Sequence, residues 1–320
     1  MKIGIVSHEG TPNLAAFYRE GWIALREVLP KVGRIGVNEL SAFIRRYGSD
    51  VVALNGEILN FLSTGEGSMY IHPVTDRLAY LPPVPAVPRL LMARGNSACF
   101  TRVIKMKLPK QPTLEQRFNF NMVGHNSTWR VPEDLAGSGW NYEMVAVMGS
   151  SCRNTDEAHA LDHVFGYTNM LDHGCRRKNY PFDKGNRWAI PDEEKQFTDW
   201  DYEGSCNGNT QGPLPIGPYI TTKDEVGDPH ALMIEERESG RLLALGSSAA
   251  VLFTFPEIIS YLSSFTTLRP GDMLSSASIT YDGYPYWGEV FPPGAYWQAK
   301  IEKLGTLRLN IEDHRKEAMQ

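Results

Sequence analysis

The feature that most constrains how this chain can fold is Leu81-Pro82-Pro83-Val84-Pro85-Ala86-Val87-Pro88, which packs four prolines into seven residues. Each proline fixes φ and removes a backbone N–H, so neither a helix nor a central strand can run through it. An extended connector remains, and it predicts a small leading domain at 1–80, a linker at 81–89 and a larger domain at 90–320. In the leading part, Ile3 to Val6 reads as a short strand, and Leu14 to Leu29 carries helical spacing through Phe17, Leu25 and Val28. Asn38 to Tyr47 reads as a second helix, with Leu40, Phe43 and Ile44 on one face and Gly48 as its stop. The expectation is a small α/β unit.

Beyond the connector the pattern turns to strands. Asn141 to Met148 is a strand candidate bounded by Gly139 and Gly149. Asn154 and Glu157 stand at capping-box spacing and predict a helix running toward Gly166. Thr254 and Glu257 form a second such pair, ahead of Phe255, Ile258, Ile259, Leu262 and Phe265 at i, i+3, i+4, i+7 and i+10. Arg269 to Asp272 reads as a turn, and Tyr296 to Ile311 as a hairpin folded about Leu304-Gly305. The fold class is α+β, mostly β, with two or three short helices in the larger domain.

Composition limits the roles open to such a fold. The hydrophobic share is 42% and the charged share 22%, which excludes a disordered chain. A net charge of −5 speaks against a nucleic-acid surface, which needs a clustered positive excess. No apolar stretch is long enough to cross a bilayer or to serve as a leader, so neither a membrane partner nor export is expected. Cys99, Cys152, Cys175 and Cys206 are scattered without a C-x-x-C pair, as reduced thiols in a cytoplasmic protein would be.

Five segments, in order, resemble the fumarylacetoacetate hydrolase (FAH) family. Tyr142-Glu143-Met144-Val145-Ala146-Val147-Met148-Gly149 is similar to its Y-E-x-E-L-A-V-V-x-G strand. Gly166 to Asp172 resembles G-Y-T-x-x-N-D, and Gly217 to Pro229 resembles G-P-W-x-V-T-x-D-E-V-x-D-P. The helix from Thr254, with Thr267 to Asp272 after it, matches the segment ending T-L-x-P-G-D, and Gly305 to Arg308 matches the closing G-T-L strand. The resemblance implies an FAH-like mixed β-sandwich roll, assembled as a homodimer. It also implies an enzyme of aromatic compound catabolism acting on a small 2-oxo acid or 1,3-dicarbonyl substrate. Hydrolysis of a carbon–carbon bond is the expected reaction, with tautomerisation or decarboxylation beside it.

In that family a divalent ion, Mg²⁺ or else Mn²⁺ or Ca²⁺, holds the substrate oxygens, and such a hard cation wants carboxylate ligands. The resemblance puts Glu143 and Asp172 in two of the ligand positions. The third is Val145, which cannot ligate, so metal binding there is weakened, re-routed or abandoned. Arg176 matches the family arginine that clamps a substrate carboxylate. Phe100 falls where the family has its water-activating histidine, leaving His125 as the candidate base, with a pKa suited to proton transfer. Ser278, in the loop after Pro270-Gly271-Asp272, and the aromatic residues Tyr167 and Tyr281 are expected at the substrate.

Plainer readings stand beside these. Arg176, Arg177 and Lys178 would serve equally as solvated ion-pair partners of Asp172, and His159 with His163 as one solvated helix face. The loss at Val145 leaves two alternatives to a metal-assisted hydrolase. One is a metal-independent isomerase or lactone-opening enzyme, and the other a non-catalytic binding protein.

Overall fold

The computed structural model describes residues 1–84, 89–98, 108–117, 121–133, 135–177, 212–276, 286–287 and 290–315. The first strands are β1 (Lys2–His8), β2 (Thr11–Tyr18), β3 (Gly21–Ala24), β4 (His72–Pro73) and β5 (Ala79–Leu81). After the connector come β6 (Leu90–Arg94), β7 (Thr113–Arg117), β8 (Met122–Val123) and β9 (Ser127–Arg130). Two long strands follow, β10 (Leu135–Met148) and β11 (Val164–Arg177), and then β12 (Leu214–Thr222), β13 (Met233–Glu238) and β14 (Arg241–Ser247). The last are β15 (Met273–Ser275), β16 (Tyr286–Trp287), β17 (Tyr296–Ile301) and β18 (Gly305–Glu312). Among the described residues, thirteen strands join into one sheet along β4-β3-β2-β1-β12-β11-β10-β15-β6-β7, with β5, β8 and β16 beside that path. A second, five-stranded sheet runs β14-β13-β17-β18-β9. The molecule is the expected β-rich roll with few helices, and none of its described helices is long and apolar enough to cross a membrane.

The strands β10 and β11 divide the interior, because successive side chains of a strand point to opposite faces. Tyr142, Met144, Ala146 and Met148 face a core shared with the smaller sheet and the helix Phe255–Phe265. Val145, Val147 and Met170 face a second core, filled by the helices Leu40–Tyr47 and Val51–Leu62. That second core takes side chains from both sides of the connector. The leading strands join the large sheet, β1 pairing with β12 through Lys2↔Thr221 and Ile3↔Ile220.

Two local expectations are corrected, and one helix is added. Leu14 to Leu29 is not one helix but β2, β3 and a single helical turn at Leu25–Val28. The chain reverses at Arg19, with φ +52°, and a Cβ on Gly21 would lie 2.5 Å from Ile71 and 2.9 Å from the His72 carbonyl. Such a close approach to β4 needs glycine, and it fixes the segment as sheet. The helix predicted from Asn154 starts two residues later, because Asp156 is the cap and its carboxylate accepts from the His159 N–H, and its α turn Glu157–Ala160 passes into a 3-10 turn at Leu161–His163 where β11 takes over. Val51–Leu62, unpredicted, buries Val51, Leu54, Ile58 and Leu62 on one face. By contrast, the Thr254–Glu257 capping box forms fully, and the closing hairpin pairs Ile301 with Gly305.

Candidate active site

Ladder pairing assembles the site. The register Val145↔Ser275, Ser275↔Met92 and Met92↔Glu115 makes one row across four strands. The next row is Val147↔Met273, Met273↔Leu90 and Leu90↔Arg117. Directly paired residues share a face, so Glu115 and Arg117, two apart on β7, stand on the face that carries Val145 and Glu143. Asp172 joins them from β11, where it pairs with Asn141, two residues before Glu143.

All four charged side chains are out of solvent: Glu143 is 2% exposed, Arg117 6%, Asp172 7% and Glu115 8%. The Arg117 guanidinium donates from one terminal nitrogen to both Asp172 oxygens, at 2.9 and 2.8 Å, and its Nε lies 3.1 Å from a Glu115 oxygen. Burial works against the charge on Arg117, yet Asp172, Glu115 and Glu143 outweigh it and hold the guanidinium charged. Glu143 does not share that guanidinium; its carboxyl accepts from the Ser275 hydroxyl. Burial first, and the neighbouring Asp172 charge second, push the Glu143 carboxyl well above the usual carboxylate range. Ser275 is placed by β15 pairing with β10, and the adjoining backbone is pinned because the buried Asn96 amide donates to the Ser276 and Phe253 carbonyls.

The other expected residues lie apart from this cluster or outside the described set. His125 sits on the turn between β8 and β9, where its Nδ1 accepts from the Arg308 N–H at 3.1 Å and Tyr80 meets its ring edge-on at 5.0 Å. Burial, with Arg308 nearby, lowers its pKa to about 4, which suits a packed neutral ring better than a base beside Glu143. Tyr167 pairs with Ala146 and so faces the opposite core, its ring 5.6 Å from Phe255. Strand alternation turns it away from Glu143. Arg176 pairs with Gly137 on the ladder, four residues beyond Asp172, but its side chain lies outside the described residues, as do Phe100, Ser278 and Tyr281. His159 is held by Asp156 in solvent and His163 by Ser150, as a solvated face requires.

Glu115 and Arg117 are the residues that sequence reasoning missed. The available signal was the short alternating run Thr113-Leu114-Glu115-Gln116-Arg117, whose two charges at i and i+2 must share a face in a strand. A cavity of about 410 Å³ lined by Tyr18, Tyr80, Tyr219 and Glu225 lies elsewhere, between the leading strands and β12, and none of the four buried charges lines it.

The motif glycines follow from the same packing. A Cβ on Gly166 would come within 2.3 Å of the Thr221 carbonyl, so β11 and β12 can approach only with glycine there.

A family model described as the C-terminal domain of fumarylacetoacetate (FAA) hydrolase matches residues 93–312. A relative from Burkholderia lata, provisionally named a hydrolase, is 28% identical over 253 residues, spanning 76% of this chain and 81% of its own. Maleylpyruvate hydrolase from Sphingobium sp. SYK-6, solved with manganese(II) and pyruvate, superposes with a TM-score of 0.68 at 16% identity, over 97% of this chain and 98% of that one. A 5-carboxymethyl-2-hydroxymuconate delta-isomerase from Mycobacterium smegmatis gives 0.66 at 16% identity, over 99% and 100%. At those identities the structures share the fold, and between them they include both a hydrolase and an isomerase.

Proposed function

Because the chain belongs to the fumarylacetoacetate hydrolase family, we propose that it is an enzyme acting on a small 2-oxo acid or 1,3-dicarbonyl compound. Hydrolysis of the carbon–carbon bond between the carbonyls is the proposed reaction, with tautomerisation or decarboxylation as the related outcomes. One observation carries this reading: Glu115, Arg117, Glu143 and Asp172 are buried together on one face of the sheet. Packing alone gives no reason to bury four ionisable groups, since each costs free energy unless paired.

The chemistry asks two things of such a site. Water adds to the acyl carbonyl, the carbon–carbon bond breaks, and its electron pair is held as the enolate of the 2-oxo acid until a proton returns to carbon. A fixed positive charge lowers the energy of that enolate, and a carboxylate can take the proton from water. The buried cluster holds groups of both kinds. Arg176, on the strand that carries Asp172, is proposed as the anchor for the substrate's acid group.

The sequence points to Mg²⁺, or Mn²⁺ or Ca²⁺, between Glu143 and Asp172, and the manganese in the Sphingobium neighbour supports divalent-ion use by proteins of this fold. The side chains present here do not fit such an ion as they are arranged. Arg117 occupies both Asp172 oxygens, Val145 closes the third ligand position, and no three His, Cys, Asp or Glu residues among those described are grouped to hold a metal. That arrangement favours the metal-independent form of the same proposal. A homodimer is proposed too, supported by Met233, Leu242 and Leu245 exposed on β13 and the edge strand β14. A cytoplasmic location and a place in aromatic compound catabolism complete the reading.

The test is a screen of the purified protein against acylpyruvates, 2-oxo acids and lactones, following loss of the enol absorbance and release of pyruvate. Turnover of an acylpyruvate is the expected result. Tight binding of these compounds with no turnover of any would replace the enzyme by a binding protein.

A further inference from the structure

We infer that Arg117 supplies the fixed positive charge of this site, so that the cluster is built around a guanidinium in place of a divalent ion. The inference deepens the reading above by naming the group that faces the substrate oxygens. Its first support is the use of the oxygens. A hard cation at Asp172 would need the two oxygens that already accept from Arg117 at 2.9 and 2.8 Å. Glu115, the third carboxylate on this face, is spent on the same guanidinium at 3.1 Å. Glu143 is turned to Ser275 instead.

A second support is the closed ligand position. Val145 is fully buried and packed in the second core, so no change of rotamer there brings an oxygen to the site. The third is where Arg117 comes from. It ends the row Val147, Met273, Leu90, whose other members are all apolar, so a guanidinium in it demands carboxylate partners. The apolar Val145 and the cation of Arg117 thus meet on one sheet face. Unlike a metal site, a guanidinium keeps its charge at every pH the protein survives.

The test uses the full chain and manganese(II), whose free-ion electron paramagnetic resonance signal falls as the ion binds. The wild type is expected to leave that signal unchanged. The double variant Arg117→Met/Val145→Glu removes the guanidinium and restores the third carboxylate, and it is expected to quench the signal at one site per chain. Quenching by the wild type, abolished in Asp172→Asn, would overturn the inference, and this measurement decides even if the double variant does not fold. Turnover of acylpyruvates is then compared with and without a chelator. Equal rates support the inference, whereas rates that rise several-fold on adding manganese sink it and leave the proposed function standing. Absence of turnover under both conditions, with the wild-type signal unquenched, sinks the proposed function and keeps the metal-free cluster.

Discussion

The two faces of β10 and β11 bury polar groups in different ways. On one face Asn169 lies in the core between the sheets, accepting from the Tyr142 hydroxyl at 3.0 Å and donating to the Gly217, Leu304 and Gly305 carbonyls. Every partner is neutral, and together they stitch the large sheet to the closing hairpin. On the other face the Asp172 carboxylate takes its cation from β7, 55 residues away along the chain, while the Glu143 carboxyl accepts from Ser275. Neutral amides are satisfied by whatever carbonyls packing provides, whereas buried charges need a partner of opposite sign. The first arrangement ties the large sheet to the closing hairpin, and the second holds four ionisable groups together out of solvent.

The sharpest way to break this contrast is Arg117→Met. It leaves Asp172 and Glu115 buried without their cation, and such a loss costs about 3–5 kcal/mol. A urea midpoint measured on variant and wild type checks it. The pair Arg117→Met/Asp172→Leu should recover part of that loss, because removing both charges also removes their desolvation penalty. A single variant as stable as the wild type would mean that the two faces do not differ.

Next in size is the acid side of stability, which places His125 with the packing contacts. Its folded pKa is lowered from 6.5 to about 4, so the unfolded chain takes up a proton that the folded protein refuses. Stability from this group is therefore complete above pH 6.5 and falls as the pH drops toward 4, by at most about 3 kcal/mol. His173, buried and lowered to about 3, adds a loss of the same sign. His125→Gln should flatten the fall between those pH values while turnover per folded molecule persists. Turnover abolished in a stably folded His125→Gln would return that histidine to the role of base.

Asn169→Ala probes the neutral face directly. It strands the Tyr142 hydroxyl and three carbonyls, a loss of about 2 kcal/mol in thermal or urea unfolding. Turnover per folded molecule is expected to stay within about twofold, because packing and not chemistry has been touched. A rate loss of a hundredfold with intact folding would place catalysis on both faces.

How much of this was legible follows from which interactions are local. The capping box at Thr254 and the strand at Asn141 to Met148 are written in neighbouring residues; the first formed as read, and the second formed as the end of a longer strand, Leu135–Met148, that runs through Gly139. Glu143 and Asp172 were legible through the resemblance, and the ladder brings them to one face. Arg117 was not, because its meaning depends on β6, β7 and β15 being adjacent, and pairing between distant strands leaves no periodicity in a single sequence. The same cause hid the sheet in Leu14 to Leu29, where apolar spacing fitted a helix and only the contact of Gly21 with β4 decided otherwise.

The smallest effect is the most discriminating. Tyr167 is an aromatic residue in a family motif, and only its position on the strand separates a substrate contact from a core filler. Its neighbours Ala146 and Phe255 belong to the core between the sheets, and burial raises its hydroxyl pKa, as an apolar environment would. Tyr167→Phe keeps the ring and its packing and removes one hydroxyl, so the expected cost is about 1 kcal/mol or less. The Michaelis constant and the turnover number should both stay near wild type. A rise in the Michaelis constant of tenfold or more at unchanged stability would put Tyr167 at the substrate. Because β10 and β11 alternate strictly through this region, that result would also move Glu143 to the packing side, and the assignment of the two faces would have to be exchanged.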